Sequence, residues 1–119
     1  MIMKILIADD NKYSRKLIRN ILEPFGHYIV KSKNGEEAIR LYETELPDCV
    51  LMDYEMPGMD GISATIKIRA SYPEARIFIV TMHDDDELRN AADKAGAERY
   101  LLKENLTELP GILESVRDN

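Results

Sequence analysis

Asp9 and Asp10 close the apolar run Ile5-Leu6-Ile7-Ala8, and Asp53 closes Cys49-Val50-Leu51-Met52. Thr81 follows Ile77-Phe78-Ile79-Val80, and Lys103 follows Tyr100-Leu101-Leu102. Singly, each has a plain explanation: a solvated turn, a helix cap, a strand-end hydroxyl, a surface amine. Together, three carboxylates, a hydroxyl and an ammonium at corresponding ends of apolar runs form a set with its own chemistry. Converging carboxylates repel and raise one another's pKa unless a cation joins them. Oxygen ligands alone select a hard ion, and a site with few protein ligands that keeps its waters suits Mg²⁺. Neither His nor Cys clusters with them, which argues against zinc or copper. Beside such an ion Asp53 is a nucleophile toward phosphorus, because carboxylates form aspartyl-phosphate intermediates. Lys103 would then neutralise the transferring oxygens, and Thr81 would donate a hydrogen bond to one of them.

That chemistry requires the run ends to lie together. Short apolar runs without alternation read as strands buried on both faces. Between them the period becomes helical. From Asn11 onward, Leu17, Ile18, Ile21, Leu22 and Phe25 share a face opposite Lys12, Arg15, Lys16 and Arg19. Pro24 and Gly26 stop that helix. Tyr28-Ile29-Val30 is a strand soon diluted by Lys31-Ser32-Lys33. Asn34 and Glu37 have capping-box spacing, opening a helix that buries Ala38, Leu41 and Tyr42, and Pro47 separates it from the Asp53 strand. Pro57-Gly58 and Asp60-Gly61 punctuate a turn before a helix carrying Ile62, Ile66 and Ile68, which Pro73 ends. His83-Asp84-Asp85-Asp86 precede a helix with Leu88, Ala91, Ala92 and Ala95 on its core face and Gly96 as its stop. Those acids suit the positive end of a helix dipole. The last helix buries Leu106, Leu109, Ile112, Leu113 and Val116, and Thr107 as N-cap would leave Pro110 in the first turn.

Five strands alternating with five helices predict one α/β domain over residues 1–119, a doubly wound parallel sheet covered on both faces. Strands one, three and four are the most apolar, which sends two and five to the edges. This agrees with the flavodoxin-like order 2-1-3-4-5, whose crevice lies between strands one and three. A length of 119 residues suffices for one hydrophobic core. The net charge of −6 argues against nucleic acid as a direct ligand. No apolar run is long enough to span a bilayer, and the amino terminus lacks a secretory apolar region, so a cytoplasmic protein without membrane association is expected. The lone Cys49 reads as a small core residue.

At these positions the chain strongly resembles the receiver domain of two-component response regulators. The likeness covers essentially the whole length. It rests on Ile7-Ala8-Asp9-Asp10, Asn34-Gly35-Glu36-Glu37-Ala38, Asp53 with Met56-Pro57-Gly58-Met59-Asp60-Gly61, Thr81, and Tyr100-Leu101-Leu102-Lys103. The resemblance implies that Asp53 accepts a phosphoryl group from a sensor histidine kinase or phosphotransfer protein. It further implies that Asp10, Asp53 and the backbone carbonyl of Glu55 hold Mg²⁺ directly, with Asp9 acting through water. Thr81 and Tyr100 match the switch pair, and Lys103 the phosphate-pairing lysine. The face of helix four, strand five and helix five would signal to an output domain, a target protein or a second phosphorylated copy. Such a domain catalyses only its own phosphorylation and dephosphorylation.

Two positions depart from the commonest pattern: Glu104 stands where many receivers have proline, and Met82 where many have a small residue. With His83-Asp84-Asp85 they resemble the NarL/FixJ class, which usually carries a helix-turn-helix output domain. No such domain is present in this sequence, and a stand-alone or an excised receiver both fit. Three other readings compete. A haloacid-dehalogenase-like phosphatase places its nucleophile after the first strand and needs a longer chain. An FMN site needs a hydroxyl- and glycine-rich loop where Asp9-Asp10 stand. A pseudo-receiver serving only as an interaction module leaves the complete acid–threonine–lysine set unexplained. Glu55, two residues past Asp53, and His83, two past Thr81, should meet at the crevice mouth and set the lifetime of the phosphorylated state. The stripe of Lys12, Arg15, Lys16 and Arg19 is either a solvated helix face or a patch that steers the kinase, which receivers of this family meet on helix one.

Overall fold

Unbroken apolar runs become central parallel strands because both of their faces can be covered. In the computed structural model, which describes residues 2–117 and side chains as far as residue 115, these are β1 (Lys4–Ala8), β3 (Cys49–Asp53) and β4 (Ile77–Thr81). The more polar β2 (Tyr28–Ser32) and β5 (Arg99–Leu102) form the edges. The sheet is parallel throughout, in the order β2-β1-β3-β4-β5. Its register aligns the carboxyl ends: Ala8 pairs with Met52, Asp53 with Val80, and Thr81 with Leu102. Asp9, Asp53, Thr81 and Lys103 therefore all emerge at one edge of the sheet.

The helices are α1 (Lys12–Leu22), α2 (Gly35–Glu45), α3 (Gly61–Ser71), α4 (Asp86–Ala95) and α5 (Leu109–Arg117). One core lies between the sheet and α2, α3 and α4, through Leu6, Ala38, Met52, Ile68 and Ala92. The other lies beneath α1 and α5, through Ile5, Ile18, Leu22, Phe78 and Leu113. Cys49 is fully buried there, and burial pushes its thiol up to about 12. Side-chain caps fix where the helices begin, each accepting backbone N–H groups that the helix leaves unpaired. Asn11 takes those of Tyr13 and Ser14, Asp60 that of Ser63, and Asp85 that of Leu88. Asn34 accepts from the Glu37 N–H at 2.8 Å, but Glu37 reaches back to the Lys33 N–H, one residue before a reciprocal capping box. No helix among the described residues is long and apolar enough to cross a membrane.

Four side-chain expectations are corrected. Phe25 is exposed because α1 ends at Leu22 and the chain tightens into a 3-10 turn, Glu23–Phe25, which abolishes the 3.6-residue period. Leu17 is exposed because one residue turns it about 100° from Ile18, off the core face. Ile66 is exposed because the buried face of α3 is wide and displaced, running through Gly61, Ile62, Ala64, Thr65 and Ile68. Thr107 caps nothing: Lys103–Glu108 is itself a 3-10 segment with a break at Asn105, and α5 begins at Leu109. Pro110 does fall in the first turn of α5, where its missing N–H breaks no bond. The side chain of Val116 lies outside the described residues. The described peptide bonds include no cis bond, that before Glu104 among them.

α2 closes on Leu46 in the left-handed conformation (φ 44°, ψ 60°), with its side chain 60% exposed. A non-glycine residue there costs roughly 1–2 kcal/mol, and little burial offsets it. Leu46→Gly should therefore raise the urea midpoint, by about 1 kcal/mol of stability after the glycine's extra unfolded-state entropy is subtracted. A lower midpoint would show that the leucine makes contacts outweighing its strain.

Candidate functional site

The β3–α3 turn holds the central carboxylate in place. The Gly61 N–H donates to the Tyr54 carbonyl at 2.9 Å, and a Cβ at Gly61 would stand 2.0 Å from the Asp53 carbonyl oxygen. Only glycine permits that approach. Asp53 is 6% exposed and Asp9 1%, whereas Asp10, turned outward by the next residue of β1's end, is exposed.

One oxygen from each of Asp9, Asp10 and Asp53 can be chosen so that all three lie within 4.8 Å of one another. The Lys103 ammonium enters from the end of β5, 2.9 Å from Asp9 Oδ2 and 3.5 Å from Asp53 Oδ2. Asp9 Oδ1 accepts the Asn11 N–H at 2.9 Å, and the Asp9 carbonyl accepts from Arg15 Nη1 at 2.7 Å. Burial foremost, and then the charge of Asp9, push the Asp53 carboxyl up to about 7; Lys103 pulls it back, and Asp10 adds a smaller upward push. The donor set is oxygen only, and its mutual repulsion exceeds what one ammonium relieves, so these residues fit a hard divalent cation.

A cavity of about 550 Å³ opens above the acids, lined by Asp10, Asp53, Glu55, Thr81, His83 and Lys103 among others. Asp9 lies beneath it. The buried Thr81 hydroxyl accepts the His83 N–H at 3.2 Å. His83 Nε2 pairs with Glu55 Oε1, joining the β4–α4 and β3–α3 loops at the cavity mouth. Tyr100 lies outside the cavity but reaches the same loop: its hydroxyl donates to the His83 carbonyl at 2.6 Å. Burial, its largest influence, raises the phenol.

Two arginines make contacts beside the site that the sequence did not lead one to expect. Arg89 of α4 pairs with Asp84 at 3.1 Å and Asp86 at 3.2 Å, and its guanidinium lies 4.7 Å from the centre of the Tyr100 ring. The spacing of Asp86 and Arg89 was a signal for that pair; the stacking on Tyr100 had none. Arg15, expected on a stripe that is either a solvated face or a kinase-steering patch, is half-buried against the Asp9 carbonyl.

Residues 5–114 match the family model of the response regulator receiver domain, and the chain belongs to that family. It is 35% identical over 118 residues to the chemotaxis protein CheY of Halobacterium salinarum, covering 99% of this chain and 97% of that protein. It is 33% identical over 117 residues to the transcriptional regulatory protein DegU of Brevibacillus brevis, covering 97% of this chain but 49% of that protein. The chain thus spans about half the length of that regulator. Among solved structures, a LuxR-family two-component response regulator from Aurantimonas sp. superposes with a TM-score of 0.92 at 35% identity, over 98% of this chain and 85% of that one. A CheX–CheY complex from Borrelia burgdorferi, solved with BeF₃ and Mg²⁺, superposes with a TM-score of 0.80 at 27% identity, over 83% of this chain and 76% of that one.

The raised Asp53 pKa fixes a sign for stability. An unfolded aspartate loses its proton near pH 3.9, while folded Asp53 keeps it to about 7. Between those values the folded state binds the extra proton, so this group lowers the stability of the metal-free protein as pH rises from about 4 to about 7, and no further above. In EDTA, the stability gained by Asp53→Asn should therefore be larger near pH 8 than near pH 5 in urea unfolding. An equal gain at both values would place the carboxyl at an ordinary pKa.

Proposed function

We propose that this receiver domain accepts a phosphoryl group on Asp53 in a Mg²⁺-dependent reaction and passes the signal through its α4–β5–α5 face. The observation that carries the reading is the convergence of Asp9, Asp10 and Asp53 within 4.8 Å under the Lys103 ammonium. Asp10, Asp53 and the Glu55 carbonyl would hold the ion directly, and Asp9 through water; the similar CheX–CheY complex above was solved with Mg²⁺. When bound, Mg²⁺ supplies positive charge that favours ionised Asp53 and offsets the charge of the transferring oxygens.

The chain's own residues then act in turn. An Asp53 carboxylate oxygen forms a bond to phosphorus as the P–N bond of a kinase or phosphotransfer-protein phosphohistidine breaks, and the electron pair leaves with the imidazole. Lys103, already between two carboxylates, pairs with an oxygen of the new acyl phosphate. The Thr81 hydroxyl turns from the His83 N–H to donate to another. The phosphoryl group brings close to two negative charges, enough to bias a loop held by exposed contacts. Tyr100 follows into the space Thr81 leaves, breaking its bond to the His83 carbonyl. The altered face is read by an output domain, a target protein or a second copy of this chain. The unit acts in the cytoplasm, as one receiver over its length, and turns over no substrate beyond its own phosphoryl group.

Intact-mass measurement after acetyl phosphate treatment tests the reading. One phosphoryl group should appear with Mg²⁺ and not with EDTA, and Asp53→Asn should abolish it. Asp10→Ala should lose Mg²⁺ binding at millimolar concentration in an NMR titration. Phosphorylation of Asp53→Asn, or Mg²⁺ binding by Asp10→Ala equal to wild type, would overturn these assignments.

The Glu55–His83 pair covers the mouth through which water would reach the acyl phosphate. An exposed pair is worth at most about 1 kcal/mol, which is about a fivefold change in rate if it acts on one state only. Loss of phosphate should quicken by up to that factor in Glu55→Gln and in His83→Ala, with no additive effect in the double variant. Unchanged lifetimes in both single variants would remove the pair from the hydrolytic mechanism.

A further inference from the structure

We propose that a groove between α1 and the edge strand β2, apart from the phosphorylation cavity, binds a linear oligophosphate. The groove measures about 620 Å³, within the usual range for small-molecule sites. Lys12, Arg15, Lys16 and Arg19 line one wall, Lys31 of β2 the other, and Glu23 is its only acid. Lys31 shares a strand face with Ile29, which packs in the core beneath α1, so it points to the same side as the helix. In a chain of net charge −6 this is a local reversal of sign. Glu23 is taken by Arg19 at 3.0 Å, and Lys16 and Lys31 pair with no carboxylate among the described residues.

The spacing makes the arrangement costly without a ligand. Lys12 with Lys16 and Arg15 with Arg19 are neighbours four apart on one helix, and Lys12 with Arg15 and Lys16 with Arg19 are three apart. Like charges at those spacings are destabilising, whereas a face serving only solvation gains by mixing signs. A chain of phosphates, with one negative charge or more per unit along a line, relieves all of these repulsions together. An acidic protein segment fits less well, because three of the groove's five cations are lysines, which protein interfaces disfavour, and an apolar anchor is missing from its lining. Here cations form the walls, and the one aromatic, Tyr13, is 72% exposed. That ring, already 5.3 Å from the Lys12 ammonium, offers a stacking surface for a base if the oligophosphate is part of a nucleotide. Arg15 also ties the groove to the acid site, since it donates to the Asp9 carbonyl at 2.7 Å.

Titration of the unphosphorylated full chain in EDTA, followed through backbone amides by NMR, tests the proposal independently of phosphorylation. Sodium tripolyphosphate should produce saturable shifts at residues 12–19 and 31, with smaller ones at Asp9 and Asp10, weakening as salt is raised. Lys16→Glu with Lys31→Glu, both exposed positions, should weaken binding by about tenfold or more while leaving the other amides unmoved. ATP binding no tighter than tripolyphosphate would identify the phosphate chain itself as the ligand. Tighter ATP binding that Tyr13→Ala abolishes would identify a nucleotide. Shifts that stay linear to about 10 mM, or that survive the double charge reversal, would overturn the proposal. So would charge reversal that slows only phosphotransfer from a kinase, which would assign the cations to a protein partner.

Discussion

Two buried carboxylates, Asp9 and Asp53, share one ammonium, and the rest of the molecule is arranged around that imbalance. Lys103 contacts both acids, and its side chain is 17% exposed against 1% and 8% for theirs. Removing one partner from a buried ion pair typically costs 3–5 kcal/mol, because the remaining charge is left unmatched. Here one partner is in effect absent from the start. Burial first, and then the charge of Asp9, raise the Asp53 carboxyl to about 7. Parallel order and register create the situation, since strands fully buried in the sheet centre deliver their ends to one edge. The lysine after the edge strand β5 must then reach across to β3, two strands away, and to the end of β1, three strands away.

The contacts around this centre divide by burial. Asp9, Asp53, Thr81 and the strands behind them are buried, and Gly61 locks the Asp53 carbonyl. The β4–α4 loop is held differently. Its bonds run from His83 to Glu55 and Tyr100, and from Asp84 and Asp86 to Arg89, all at exposed positions. Exposed ion pairs are individually weak, and loops with few buried contacts open at small free-energy cost. Thr81 belongs to the rigid part through its strand and to the loose part through its hydroxyl, which accepts the His83 N–H. Of the segments next to the acids, this loop is therefore the one that opens at least cost, and the sheet the one that resists.

The legible parts of the sequence were those governed by a local rule. Buried parallel strands announce themselves by apolar runs, and the residues ending them were read correctly as neighbours because register at a common sheet end follows from the topology. The glycine stop after α4 was equally visible; Gly96 closes that helix at φ 97°. Where a pattern depended on tertiary fit it misled. The isoleucines of α3 suggested a face centred on bulky residues, but only Ile62 and Ile68 lie on its core side, which Gly61, Ala64 and Thr65 complete, while Ile66 is exposed. The stripe on α1 looked uniform, yet Arg15 turns inward to a backbone carbonyl, and no side-chain spacing records a bond of that kind. Arg89 was invisible in its stacking role because Tyr100 lies on a different element.

The two adjacent acids at the end of β1 are not equivalent, and the structure gives the physical reason. Both Asp9 oxygens are engaged, Oδ1 by the Asn11 N–H and Oδ2 by Lys103, and its carbonyl is held by Arg15. Each oxygen keeps one further lone pair, sufficient to accept a hydrogen from water, but the side chain has little liberty to approach an ion. Asp10 is exposed, and its side chain has no hydrogen-bond or ion-pair partner among the described residues. Swinging it toward a cation breaks nothing. The proposal above, direct coordination by Asp10 and indirect coordination by Asp9, agrees with which carboxylate is already committed to the fold. The lysine is divided in the same way: anchored on Asp9 at 2.9 Å, its ammonium stays 3.5 Å from Asp53, the acid with fewer partners of its own.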